Sequence, residues 1–250
     1  MTDLHIRTVD GKTDERLLSL WLAAFPSDSA DYVRGFLRHL PDNAITLVGE
    51  CDGKPVAMLF LLASEACFRG VRYPVRYLYA GCTHSDYRGR GYYRELMNAA
   101  ADIVSERKEN AIFLHPADDK LTQTYQRLGY KAGIGASNSQ KCATTPCRTI
   151  DAYLKQRADV IQKCSKDVVF WNVGESTLRY FVQDAVDRNA QMFIEDNATA
   201  LLVDNHIIES ITSHSTTVVD DRFCLWLPMD NTPLVSLMEQ HGGQTGIIGD

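Results

Sequence analysis

The stretch Tyr77-Leu-Tyr-Ala-Gly-Cys-Thr-His-Ser-Asp-Tyr-Arg-Gly-Arg-Gly-Tyr-Tyr-Arg-Glu-Leu-Met97 constrains this chain more than any other. It reads as a strand, a turn with two glycines, and the first turns of a helix. Glycines in such a turn let the backbone approach a ligand closely. The amides at a helix start have no partner within the helix, and the helix dipole adds positive character. Together these features suit a pyrophosphate. Arg88 and Arg90 add charge, and Arg94 lies one turn further on. Arg-Gly-Arg-Gly by itself is equally compatible with a solvated turn.

Two other phosphate motifs are absent. No Gly-x-x-x-x-Gly-Lys occurs, which removes the nucleotide-triphosphate loop. Gly89-x-Gly91 is followed by Arg94 where the dinucleotide fingerprint needs its third glycine.

The flanking sequence predicts a mixed α/β fold. Leu4 to Val9 alternates as a strand. Thr13 to Phe25 has helical spacing, and a second helix over Asp31 to Leu40 stops at Pro41. Ala44–Cys51 and Pro55–Leu62 are apolar strands joined at Asp52-Gly53, a hairpin signal because both turn residues need positive φ. A strand from Val75 to Thr83, a helix from Tyr92 to Val104, a short strand over Ala111–Leu114 and a helix from Asp119 to Leu128, closed by Gly129, complete the first half. Asp118 and Asp119 read as helix caps, and Arg69, Arg72 and Arg76 as a solvated face. The second half repeats a broad strand–helix–hairpin order without sequence repeat. It is expected to pack against the first, since no Pro- or Gly-rich linker separates them. Trp171 and Trp226 are expected in the core.

Composition narrows the partners. With 45% hydrophobic and 23% charged residues over 250 positions, an ordinary core forms. A net charge of -6 disfavours nucleic acid. No apolar run is long enough to span a bilayer, so no membrane partner is expected. The amino-terminal residues do not resemble a secretory signal. Seven scattered cysteines form no Cys-x-x-Cys pair, which fits reduced thiols in a cytoplasm. His115 has no partner at metal spacing, and no metal is expected.

Asp86-Tyr87-Arg88-Gly89-Arg90-Gly91, between a strand and a helix, resembles the acetyl-CoA motif of the GCN5-related N-acetyltransferase (GNAT) superfamily, Gln/Arg-x-x-Gly-x-Gly/Ala. Asp86 departs from the pattern's first position. Downstream, Tyr125-Gln-Arg-Leu-Gly129-Tyr130 resembles the family's Tyr-x-x-x-Gly-Phe helix end. The tail Tyr92 to Met97 is most similar to the enhanced-intracellular-survival branch, in which a GNAT domain is followed by a degenerate second one. The resemblance implies a GNAT domain over 1–145 and a smaller GNAT-like α/β domain over 146–250. The second lacks the Arg-Gly-x-Gly turn and is expected to shape the acceptor pocket or a homo-oligomer interface.

The resemblance further implies acetyl-CoA as co-substrate. Backbone of the strand edge at Gly81, Cys82, Thr83 and His84 would bind the pantetheine arm. Amides of Arg88, Gly89, Arg90, Gly91, Tyr92, Tyr93 and Arg94 would bind the pyrophosphate, and Tyr125 would act as general acid. A phenol, with a reference pKa of about 10, is protonated at neutral pH. Read without the family, Tyr125 is a core aromatic sharing a face with Leu121 and Leu128. The general base stays open among His84, Glu209, the Asp250 carboxylate and water. The acceptor is a small-molecule or peptide amine. A non-catalytic acyl-CoA-binding regulator of the same fold is the alternative, and a tRNA-dependent aminoacyl transferase is disfavoured by the acidic balance.

Overall fold

A computed structural model describes residues 3–136, 143–204, 206–213 and 224–245. The first half runs β1 (His5–Val9), α1 (Arg16–Ala24), α2 (Ala30–Arg38), β2 (Ile45–Cys51), β3 (Lys54–Phe68), β4 (Val71–Thr83), α3 (Tyr92–Glu106), β5 (Ala111–Leu114), α4 (Asp119–Arg127) and β6 (Lys131–Ala136). The second runs β7 (Thr145–Cys147), α5 (Ile150–Cys164), β8 (Val169–Val173), α6 (Glu175–Asp187), β9 (Gln191–Glu195), β10 (Ala198–Val203), β11 (His206–Thr212), β12 (Cys224–Pro228), α7 (Leu234–His241) and β13 (Gly243–Thr245). The fold is mixed α/β, as the order of elements implies. At the Asp52-Gly53 hairpin both residues take positive φ, 51° and 73°.

The nine-stranded sheet closes on itself. Its order is β1-β2-β3-β4-β5-β12-β6-β13-β8, and β8 returns to β3 through Ser64–Cys67 against Phe170–Val173. β3 can do this because it is longer than its apolar run suggests. It extends past Leu62 to Phe68, pairing with β2 along its first part and with β8 along its last. In the ring, β4, β5, β6, β8 and β13 run parallel, while β3 and β12 run against them. The carboxyl ends of the parallel strands therefore meet at one mouth.

Aromatic side chains fill the ring. Tyr77 touches Phe113 at 5.1 Å between centroids, Phe113 touches Trp171 from the far side at 5.2 Å, and Trp171 touches Trp226 at 5.5 Å. Both tryptophans are buried, as their strand positions predict. Each such side chain contributes on the order of 1.5–3 kcal/mol by leaving water. The end away from the mouth is covered by α7, where the Trp171 indole donates to the Met238 sulfur at 3.4 Å and His241 packs on Phe68.

The boundary expected at 145/146 does not separate two sheets. β8, β12 and β13 come from the second half, and β12 lies between β5 and β6 of the first. β5 is four residues buried on both faces, so a ladder is needed on each of its edges. β12 supplies one of them with Leu225–Pro228 opposite Ala111–Leu114.

The remaining strands form a four-stranded sheet, β11-β10-β9-β7, covered by α5. A buried polar cluster ties it down. Arg157 of α5 donates to the Glu209 carboxylate at 2.8 and 3.0 Å and to Asn172 of β8 at 2.8 Å, and Tyr153 donates to Glu209 at 2.5 Å. Arg76 is also a correction. It is not on a solvated face but buried, forking onto Glu109 with two 2.6 Å bonds and donating to the Asn43 carbonyl. Two carboxylate oxygens and a carbonyl replace the water that a buried guanidinium loses.

Candidate active site

The site is built where β4 parts from β5. The two strands pair only at Arg76–Ile112 and Tyr77–Phe113. Leu78 to Thr83 then continue on β3 alone. Two local causes are visible. β4 carries a bulge, with Tyr79 to Cys82 set against Phe60 to Met58 and Ala80 in the left-handed region at φ 48°. A bulge adds a residue to one strand and turns its edge. β5 in turn ends at His115-Pro116, where proline has no N–H for a ladder. The result is a wedge with one backbone edge of β4 exposed to a ligand.

The turn after β4 is fastened from inside. The His84 amide donates to the Val56 carbonyl at 2.8 Å, and its Nδ1 accepts from the Asp86 amide at 3.3 Å. Arg88 Nε donates to the Thr83 carbonyl at 3.1 Å. Arg90 donates to the Asp86 carbonyl at 3.0 Å and lies over the Tyr87 ring. Asp86, the residue that departs from the motif, thus lends its main chain to the turn. Gly89 and Gly91 both have positive φ, 76° and 84°. Gly91 stands at the start of α3 with no side-chain cap, and the helical ladder opens with the Glu95 amide on the Gly91 carbonyl. The amides up to Arg94 thus precede the ladder and sit at the positive end of the helix. Arg88, Arg90 and Arg94 are exposed around them.

These residues fit a pantetheine–pyrophosphate ligand. The helix start is uncapped, the strand edge is open, and the Thr83 hydroxyl at their junction is buried without a partner among the described residues. Other expected contributors play backbone or packing roles. Burial pushes the Cys82 thiol up to about 12, so it stays protonated and offers only its main chain. The Tyr92 ring packs on Cys51 and Val56 and anchors the helix.

Tyr125 lies on α4, the helix that follows β5, with its ring beside those of Tyr93 and Tyr130. Asp118 caps α4 by accepting from the Leu121 amide at 2.7 Å, and Gly129 ends it at φ 93°. The buried face of α4 holds Thr122 and Tyr125, whereas Leu121, expected beside them, is exposed. The Tyr125 hydroxyl is 3.0 Å from that of Tyr93. Burial raises the Tyr125 pKa, against the lowering effect of the Tyr93 hydrogen bond, so the group remains a proton donor at neutral pH. Tyr93 in turn fits against β4 because position 81 is glycine. A methyl group there would collide with the Tyr93 hydroxyl. An isolated glycine within a strand is the sequence signal for that close approach.

Among the base candidates, His84 stands at the site and is half-buried. Glu209 does not. It is buried in the small sheet and fully engaged by Arg157 and Tyr153, which leaves it a structural ion pair among the four candidates left open for the base. Asp250 lies outside the described residues.

Residues 5–133 match the sequence profile of a family described as an acetyltransferase (GNAT) domain. The chain belongs to the GNAT family. No curated protein matches it. Several solved GNAT-like structures share its fold at low identity. A probable N-acyltransferase from Enterococcus faecalis superposes with a TM-score of 0.65 at 14% identity, covering 87% of this chain and 60% of its own. A GCN5-related N-acetyltransferase from Kribbella flavida gives 0.62 at 16%, covering 94% and 67%. Eis1 from Mycobacterium abscessus gives 0.60 at 14%, covering 94% and 68%. This GNAT chain thus spans about 60% of the length of the first of them. The likeness extends well beyond the profile-matched residues into the second half. Among the described residues no helix is long and apolar enough to cross a membrane.

Proposed function

We propose that the protein transfers the acetyl group of acetyl-CoA to an amine, with Tyr125 as general acid. The observation that carries this reading is the position of the Tyr125 hydroxyl, joined through Tyr93 to Gly81 on the open edge of β4. The backbone edge of β4 at Cys82 and Thr83 holds the pantetheine arm, with the His84 main chain fastened to Val56 and Tyr87 behind it, and the amides of Gly89 to Arg94 hold the pyrophosphate. The neutral amine attacks the thioester carbon, the C–N bond forms and the C–S bond breaks. The departing sulfur takes the Tyr125 proton. A positioned acid of this kind contributes roughly 10²–10⁴-fold. His84, the Asp250 carboxylate or water accepts the proton lost by the amine. The acceptor is a small-molecule or peptide amine, and a cytoplasmic setting suits the free thiols.

Release of CoA thiol across an amine library tests the activity. Tyr125→Phe is expected to lower kcat by about 10²-fold or more while the Kd for acetyl-CoA stays unchanged. Unchanged kcat would remove the acid role. Binding of acetyl-CoA with no thiol release from any amine would instead indicate a non-catalytic sensor.

A further inference from the structure

The Tyr125 hydroxyl has the Tyr93 hydroxyl as its hydrogen-bond partner among the described residues, at 3.0 Å. Only one hydrogen can lie between two hydroxyl oxygens. If Tyr125 donates to Tyr93, its proton is held in that bond and is not offered to a ligand. If Tyr93 donates to Tyr125, the Tyr125 proton is directed elsewhere and can serve a leaving group.

We propose that Tyr93 is a positioning residue, whose O–H donates to the Tyr125 oxygen and so aims the Tyr125 proton into the wedge beside β4. The inference rests on the acid role given to Tyr125 above. Three features support it. Tyr93 is seated closely on β4, because its hydroxyl occupies the space a side chain at Gly81 would fill. The neighbouring Tyr130 does not take its place: its ring is 5.7 Å from that of Tyr125, yet its buried hydroxyl has no partner among the described residues. And Tyr93 lies in the first turn of α3, two residues after Gly91, so the helix that offers its amides to the pyrophosphate also sets the acid.

The step it serves is a simple transfer. Tyr125 gives its proton to the departing thiolate and is left as a phenolate, in a site where burial opposes that charge. A hydrogen bond to the charged form favours it, so the Tyr93 O–H offsets part of the burial.

Fluorine NMR of the full chain carrying 3-fluorotyrosine at position 125 follows ionisation of that phenol without any acceptor. Tyr93→Phe keeps the ring and removes the hydroxyl. It is expected to raise the ionisation midpoint by about one pH unit, a ten-fold change, because the phenolate loses its donor. Gly81→Ala, which displaces the Tyr93 hydroxyl, is expected to shift it the same way. An unchanged or lowered midpoint in a folded Tyr93→Phe chain overturns the proposal. In turnover, Tyr93→Phe should lower kcat roughly ten-fold and leave the Kd for acetyl-CoA unchanged. If the midpoint shifts but Tyr125→Phe turns over normally, the acid assignment has failed and the contact between the two tyrosines stands.

Discussion

At the scale of single residues, the two glycines of the turn carry different constraints. A side chain at Gly89 would meet open space, so the left-handed backbone alone demands glycine there. A side chain at Gly91 would also crowd the Arg94 guanidinium at 3.3 Å. An L-residue in that region costs about 1–2 kcal/mol. The turn is exposed and outside the core, so Gly91→Val should lower the urea midpoint only by the equivalent of this strain, about 1–2 kcal/mol, and leave the chain folded. It should weaken acetyl-CoA binding at least ten-fold in calorimetry, since the amides that follow Gly91 are re-aimed. Wild-type affinity in this variant would show that the ligand binds elsewhere.

At the scale of elements, much of the fold is legible from periodicity and punctuation. Asp52-Gly53, Pro41, Gly129 and the Asp118 cap all mark ends that the structure keeps. What escapes is set by distant partners. β3 continues through the more polar Ser64 and Glu65 because β8 arrives to pair with it, and nothing within β3 announces β8. Arg76 reads as a surface charge until Glu109, 33 residues on, closes around it. The bulge at Ala80 leaves no signature, since alanine is an unusual choice for positive φ. In the site, the left-handed turn at Gly89 and Gly91 and the helix end at Gly129 are legible through motif spacing. The Tyr93 hydroxyl is not, because its meaning depends on a neighbour on another helix. The Arg157–Glu209 pair belongs to this scale too, joining α5, β8 and β11. Glu209→Ala strands a buried guanidinium and should cost about 3–5 kcal/mol in urea denaturation. Replacing both partners, as Arg157→Met with Glu209→Leu, should cost much less. Equal losses in the two variants would mean that packing, not charge, decides.

At the scale of the whole molecule, the ring makes the two halves interdependent. A fragment of residues 1–145 lacks β8, β12 and β13, leaving β3, β5 and β6 with bare edges. Circular dichroism and proton NMR should show it unfolded or aggregated; a cooperative native fold would refute the shared sheet. The molecule's buried thiols and phenols also set an alkaline limit. Burial pushes Cys67 and Cys82 up to about 12 and Cys164 to about 11, and raises Tyr93, Tyr130 and Tyr153. The unfolded chain's thiols ionise near 9 and its phenols near 10. Protons therefore leave the unfolded state first as pH rises. Stability is full below about pH 9 and declines above it, more steeply past 10. The urea midpoint should be flat from pH 7 to 8.5 and fall beyond; a rise there would contradict the burial.

The position of β12 has a further consequence in time. Synthesis is vectorial, and the strands β4 and β5 that frame the wedge are made before β12. The strand that completes the sheet beside β5 is translated well after both of its neighbours, behind β7 to β11. Until residue 228 has left the ribosome, the nascent chain carries two hydrophobic strands with no neighbour between them. Acetyl-CoA competence should therefore arise late in translation, and a holdase should find β5 and β6 exposed up to that moment.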